Sequence, residues 1–317
     1  MGKSRILVSL TGGLGNQLFQ LAAGLYVSDR SEVALTGRFG RPRSQRKNQA
    51  DIFEYEQVVD LGRQDLTKEE YSWLSRKAAG YLMRTSFAPR SWEGLTFFRL
   101  VTKLLTSLVA SASLRELRAA YAPSEVGFDA DFHSSSYPRI LFGYFQTYHH
   151  PANPSVLPHL RELKLKRPSA WVEEMAVLAA LEKPIAVHVR LTDYRNEGFG
   201  IAPMHYYESA LSHLRGHGSS GRIWLFSDEP EEAKLLLGEH LLLGARIIME
   251  PPGSSPAEVL EVLRLAHAYV IANSTFSWWG AFLSRSETNA ICYPDPWFIS
   301  GTQIQELCPP EWTPISR

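Results

Sequence analysis

The stretch PIAVHVRLTDY, residues 184–194, decides how this chain is read. Its apolar first part builds a buried strand, and its end carries His188, Arg190 and Asp193. Side chains alternate along a strand, so His188 and Arg190 share one face while Val187 and Val189 share the other. In open α/β sheets, ligands bind beyond the carboxyl ends of the strands. An arginine at that edge calls for an anion.

The same design recurs through the second half. Strands are expected at RIWLFSD, ARIIME, AYVIAN and AICYP, and helices at residues 204–215, 231–243 and 256–267. The last helix opens Ser255-Pro256-Ala257-Glu258, a capping box with proline at the first helical position. Alternating strands and helices imply a parallel sheet covered on both faces. Three strand ends then share one edge: HVRLTD, FSDE and NSTFS. Together they describe a pocket with one arginine, several hydroxyl donors and an acid, which suits a nucleoside diphosphate better than a free sugar.

Each member also has a plainer use. His188 alone reads equally as a structural histidine. Ser227 and Asp228 end a strand, and Asp228 either accepts from a base or ribose or caps the next helix. Asn273, Ser274, Thr275 and Ser277 lie where a helix opens, and its dipole favours an anion there. Capping needs only one of the four. Trp278 and Trp279 read as core or as platforms on which a sugar stacks.

The first half begins with a strand (RILVSL), a turn (TGGLGN) and a helix with Leu18, Leu21, Ala22 and Leu25 at helical spacing. Glycines between strand and helix let backbone approach a phosphate. Gly13 and Gly15 start a dinucleotide fingerprint, but its third glycine is replaced by Leu18. A ligand-free βα turn explains them as well. Residues 68–120 read as mostly helical, residues 128–139 as polar and turn-rich, and residues 163–170 as a linker.

Charge separates the halves. Residues 1–170 hold 23 Lys/Arg and 15 Asp/Glu, whereas residues 171–317 hold 10 and 18. Two domains, or simply an uneven solvated surface, account for this. The only two cysteines, Cys292 and Cys308, fit a reducing cytoplasm and no disulfide framework. Met1 leads directly into a strand, so no signal peptide is expected. In residues 95–112, Arg99 and Lys103 interrupt the apolar run too early for a spanning helix. The basic surface of residues 71–120 either packs within the first domain or rests peripherally on a membrane. Asp129-Ala130-Asp131 reads as a turn, or as a divalent-metal site of a metal-dependent transferase.

Five motifs, in order, carry a family resemblance: GGLGNQLFQ at 12–20, GYFQ at 143–146, HVRLTDY at 188–194, FSDE at 226–229 and NSTFSWWGA at 273–281. The chain resembles the bacterial α-1,2-fucosyltransferases of glycosyltransferase family 11. The resemblance implies a GT-B-like α/β fold, two Rossmann-like domains facing across a cleft. It places an acceptor-side domain with the Gly-rich turn at residues 1–166 and a GDP-sugar-binding domain at 167–317. It implies transfer of L-fucose from GDP-β-L-fucose, with inversion and without metal or other cofactor, to a galactose-type hydroxyl of a surface glycan such as lipopolysaccharide. That work would be done in the cytoplasm or at the inner membrane face, with no nucleic-acid partner.

The family pattern His-x-Arg-Arg-x-Asp is met by His188, Arg190 and Asp193, while its second arginine is Leu191 here. Arg190 is thereby matched to the donor diphosphate, with His188 beside it and Asp193 as the base for the acceptor hydroxyl. Gly13, Gly15, Asn16, Ser227, Asp228, Asn273, Ser274, Thr275, Phe276 and Ser277 complete the donor-binding set. Rival readings are a Rossmann oxidoreductase built on Gly13 and Gly15, the metal-dependent transferase using Asp129 and Asp131, and a non-catalytic glycan-binding protein.

Overall fold

A computed structural model describes residues 5–28, 32–36, 51–58, 120–121, 127–128, 132, 140–141, 143–192, 199–286, 290–299 and 303–317. Within them the chain builds two sheets, both wholly parallel. The first has strands β1 (Arg5–Ser9), β2 (Glu32–Thr36), β3 (Ala120–Tyr121) and β4 (Ile140–Leu141), in spatial order β2-β1-β4-β3. Helix α1 (Leu14–Val27) follows β1, and the short helices α2 (His149–Ala152) and α3 (Leu157–Arg161) follow β4.

The second sheet has six strands: β5 (Ile185–Val189), β6 (Ile223–Ser227), β7 (Arg246–Ile247), β8 (Ala268–Val270), β9 (Ala290–Asp295) and β10 (Thr313–Ser316). Their order is β10-β9-β8-β5-β6-β7. Helix α4 (Ala170–Glu182) precedes β5. Helices α5 (Met204–Gly216), α6 (Pro230–Leu241), α7 (Pro256–Leu263) and α8 (Thr275–Phe282) connect the strands. These two parallel α/β units make the GT-B-like fold that the motifs imply.

Alternation along β5 separates two cores. Ile185, Val187, Val189 and Leu191 join Tyr206, Tyr207, Ala210 and Leu214 of α5 on one face. Ala186 belongs to the core on the opposite face, with Trp224, Phe226, Leu260 and Trp278. That second core does not stop at the sheet. It continues into the first half through Phe19, Ile6, Val8 and Tyr55. Phe19 of α1 lies 4.6 Å from the ring of Trp278 and 4.9 Å from that of Trp279. Aromatic pairs at such distances add about 0.5–1.5 kcal/mol each beyond burial.

Polar knots brace the frame. The capping box of α7 forms, with Ser255 Oγ accepting from the Glu258 N–H and the Glu258 carboxylate accepting from the Ser255 N–H. Buried Glu261 accepts from Arg264 and from Arg285. Glu182, at the end of α4, accepts from Trp224 Nε1 at 2.6 Å and pairs with Arg246 at 2.6 Å and Arg222 at 3.0 Å. Those bonds, from Arg246 above all, outweigh the burial that opposes ionisation and hold its carboxyl at about 2.

Candidate active site

The site is built where the carboxyl ends of β1, β5, β6 and β8 converge. On the first half, Gly12 adopts a left-handed φ of +76°, which turns the chain from β1 into α1. Gly13 is the N-cap residue of α1 and is exposed, with open space where a Cβ would stand. Gly15 is the opposite case: a Cβ there would meet Thr275 C at 2.5 Å and Phe276 N at 2.7 Å. The Gly-rich turn therefore touches the first turn of α8, and two helix N-termini come together.

Three glutamines hold that turn. Gln17 Nε2 donates to the Gly12 carbonyl at 3.0 Å. Gln20 accepts from the Thr11 N–H at 3.0 Å and donates to the Gly143 carbonyl at 2.8 Å. Gln146 donates to Asn16 Oδ1 at 2.8 Å. The GYFQ segment thus serves as a brace for the Gly-rich turn, since β4 and β1 are neighbours in the sheet. The motifs that contain these glutamines give no sign of this task in the sequence alone. The signal that finds them is three amides on segments otherwise bound for the core, all of which the structure buries.

On the second half, Arg190 leaves β5 with its side chain 34% exposed, and its Nε lies 3.3 Å from Asp228 Oδ2. Asp228 also accepts from the Leu191 N–H at 3.0 Å, from the Thr192 N–H at 3.1 Å and from the Thr192 hydroxyl. Partial burial pushes its pKa up, but the Thr192 hydroxyl, Arg190 and the two N–H groups together bring it below the ordinary carboxylate value. Asp228 does not cap α6; the Glu229 N–H instead donates to Ser227 Oγ at 3.1 Å.

His188 is almost wholly buried, 6.1 Å from the Phe276 ring, and its Nδ1 meets no hydrogen-bond partner. Burial first, and the Arg190 charge second, lower its pKa to about 4 against a weaker pull from Asp228. The imidazole is neutral at physiological pH. It cannot serve there as a second cation beside Arg190.

The NSTFS segment divides its polar groups. Asn273 Nδ2 donates to the carbonyls of Phe199 and Gly200, both at 3.1 Å. Ser274 caps α8 by accepting from the Phe276 N–H at 3.4 Å. The Ser277 hydroxyl is fully buried and donates to the carbonyls of Ser274 and Ala272. Thr275 and Phe276 are half-buried at the helix start. Structural duties therefore account for three of the four polar residues, and the fourth, Thr275, stands half-buried in the first turn of α8.

Trp278 and Trp279 are fully buried, with Trp278 Nε1 donating to the Leu307 carbonyl at 3.1 Å. The stacking-platform reading is corrected on that ground. Leu191 is 3% exposed and lies in the apolar core with Val187 and Val189. The position of the family's second arginine thus points away from the pocket. Asp193, Asp129, Asp131 and all of residues 71–119 lie outside the described residues. Among the described residues, no three or more His, Cys, Asp or Glu side chains are grouped to hold a metal ion, and no helix is long and apolar enough to cross a membrane.

With this arrangement in view, comparison places the chain. The profile of glycosyl transferase family 11 matches residues 5–316. The chain belongs to glycosyl transferase family 11. Among characterised family relatives, the α-1,2-colitosyltransferase of Escherichia coli is 25% identical over 155 residues, 46% of this chain and 52% of that protein. The O-antigen biosynthesis glycosyltransferase WbnK of Escherichia coli is 26% identical over 132 residues, 40% of this chain and 43% of that protein. The chain spans about half the length of the curated relatives it matches. Among solved structures, the fucosyltransferase NodZ from Bradyrhizobium aligns over 89% of this chain and 93% of its own, with 14% identity and a TM-score of 0.49. The ADP-heptose lipopolysaccharide heptosyltransferase II of Escherichia coli aligns over 98% and 90%, with 11% identity and a TM-score of 0.45.

Proposed function

We propose that this chain is an inverting, metal-independent α-1,2-fucosyltransferase. It moves L-fucose from GDP-β-L-fucose to a galactose-type hydroxyl of a surface glycan assembled at the cytoplasmic side of a membrane. The observation that carries the reading is the junction of Arg190, the α8 N-terminus and the Gly12–Gly15 turn at one edge. Family membership and a relative named for an α-1,2 linkage support it.

The chemistry follows from those groups. The acceptor hydroxyl attacks the anomeric carbon from the face opposite the diphosphate. The bond from that carbon to the β-phosphate oxygen breaks, and the hydroxyl proton passes to a base, for which Asp193 is our choice. Negative charge grows on the leaving diphosphate. Arg190 and the N–H groups of a helix N-terminus stabilise that charge without a bound ion. His188, neutral and next to Phe276, lines the pocket where the rest of the nucleotide would lie.

Calorimetry with GDP, UDP, ADP and NAD, with and without EDTA, tests the reading. Tight GDP binding that survives EDTA is expected, as is turnover of GDP-fucose in EDTA. Binding of NAD without GDP refutes it, and turnover abolished by both EDTA and Asp129→Ala installs the metal-dependent reading. Running GDP-colitose beside GDP-fucose fixes the donor sugar. Asp193→Asn should cut turnover while sparing GDP affinity; collapse of GDP affinity instead assigns the base elsewhere.

A further inference from the structure

We infer that Asp228 is a positioning residue for Arg190, not a reader of the nucleotide. The inference rests on the donor reading above. A carboxylate oxygen offers two lone pairs. Oδ2 of Asp228 already meets three donors: the Thr192 hydroxyl, the Thr192 N–H at 3.1 Å and Arg190 Nε at 3.3 Å. Oδ1 is taken by the Leu191 N–H at 3.0 Å. Every one of these donors belongs to residues 190–192, which leave the neighbouring strand. Pairing a nucleobase edge through both oxygens would require Oδ2, which already meets three donors, to release one of them.

The arrangement does three things for the cation. It gives partners to the two backbone N–H groups that follow the end of β5, which have no ladder partner there. It fixes the turn of the chain just where Leu191 enters the core and Arg190 leaves it. It holds the guanidinium by Nε, the nitrogen nearest the chain, so the plane of the fork is set before an anion arrives. An arginine loses considerable rotamer freedom when it is held in one geometry. Asp228 makes that ordering part of the fold instead of part of ligand binding. The Asp228 side chain is 15% exposed and the Arg190 side chain 34%, so the carboxylate is more sheltered from water than the cation it holds.

The test is a double-mutant cycle read by calorimetric affinity for GDP and for ADP, on wild type, Arg190→Ala, Asp228→Asn and the double variant. Asp228→Asn is expected to weaken GDP by roughly tenfold or more in the wild-type background and by little in the Arg190→Ala background. The ratio of GDP to ADP affinity should be unchanged. An equal loss in both backgrounds overturns the inference. So does a collapse of the GDP-to-ADP ratio, which makes Asp228 a base reader. If Asp228→Asn lacks a cooperative melt, Asp228→Glu, which keeps the charge but displaces it, is judged by the same criteria. Wild-type protein that binds no GDP refutes the donor reading itself, an outcome separate from additivity.

Discussion

Replacing Gly15 by alanine would test a close contact between the two halves. The new methyl group would stand 2.5 Å from the Thr275 carbonyl carbon and 2.7 Å from the Phe276 nitrogen, both backbone atoms. Neither can rotate away. Ordinary contact begins near 3.4 Å, so the helices must separate by about 0.9 Å. Overpacking of this kind costs about 1–3 kcal/mol. For a chain of this size that is roughly 2–6 °C in Tm. The effect on catalysis should be larger than the effect on stability. The contact lies between the two helix N-termini that frame the anion site, and a displacement near 1 Å in a positioned site costs about 100-fold in rate. Gly13→Ala is the comparison. Nothing stands within 4 Å of its added methyl, so there is no clash. It should lose about 1 kcal/mol or less, as an N-cap change. The assays are a thermal melt and steady-state fucosyl transfer for both variants. If Gly15→Ala melts and turns over like wild type, the two N-termini do not meet as described.

Further expectations follow from other contacts. Arg190→Ala should lower turnover by about 10² to 10³, and Arg190→Lys should recover little, because an ammonium lacks the planar fork; wild-type turnover of a folded Arg190→Ala variant removes Arg190 from the mechanism. Leu191→Arg restores the family pattern but places a charge in the core beside Val187 and Val189, so it should cost several kcal/mol and be seen as a large fall in Tm. Unchanged stability would mean that the chain turns Leu191 toward solvent. Glu182, ionised down to about 2 when folded against an ordinary 4.5, should contribute stability above pH 4.5 that is lost as pH falls toward 2. Glu182→Gln should remove that acid-side loss in denaturant titrations at stepped pH, and an unaltered pH profile would show that the knot around Glu182 is not what fails in acid.

How far the sequence could be read depended on whether a residue's task was local. The buried strands of the second half were legible because continuous apolar runs between helical patterns have few other readings. β5, β6, β7 and β8 fall within the expected runs, β9 extends one residue past its own, and the capping box at Ser255 and Glu258 forms as its spacing requires. β10 was not legible: TPIS has no apolar pattern and exists as a strand because β9 pairs with it. Helix α4 was missed since its apolar residues, Val177 and Leu181 among them, do not gather on one buried face. Within the site, Arg190 was legible from strand alternation. The hydrogen-bond partners of Asp228 were not legible, because they lie 36 and 37 residues away, just past the end of another strand. Local reasoning offered it only a helix to cap or a ligand to hold.

The segment 303–308 has a consequence for how the chain assembles. The Glu306 carbonyl accepts from Thr147 Oγ1 at 2.8 Å and from the Tyr148 N–H at 3.1 Å, while its carboxylate meets His149 at 2.6 Å. Next to it, the Leu307 carbonyl accepts from Trp278. These bonds bridge up to 159 residues of sequence. On the ribosome, the 143–149 segment emerges long before the partner it needs, and it must wait for nearly the whole second half to be made. Its last native contacts therefore form late, since distant closures carry the largest entropy cost. Refolding should show the second sheet protected from hydrogen exchange before the brace on the Gly-rich turn, so that donor binding is among the final properties the molecule acquires.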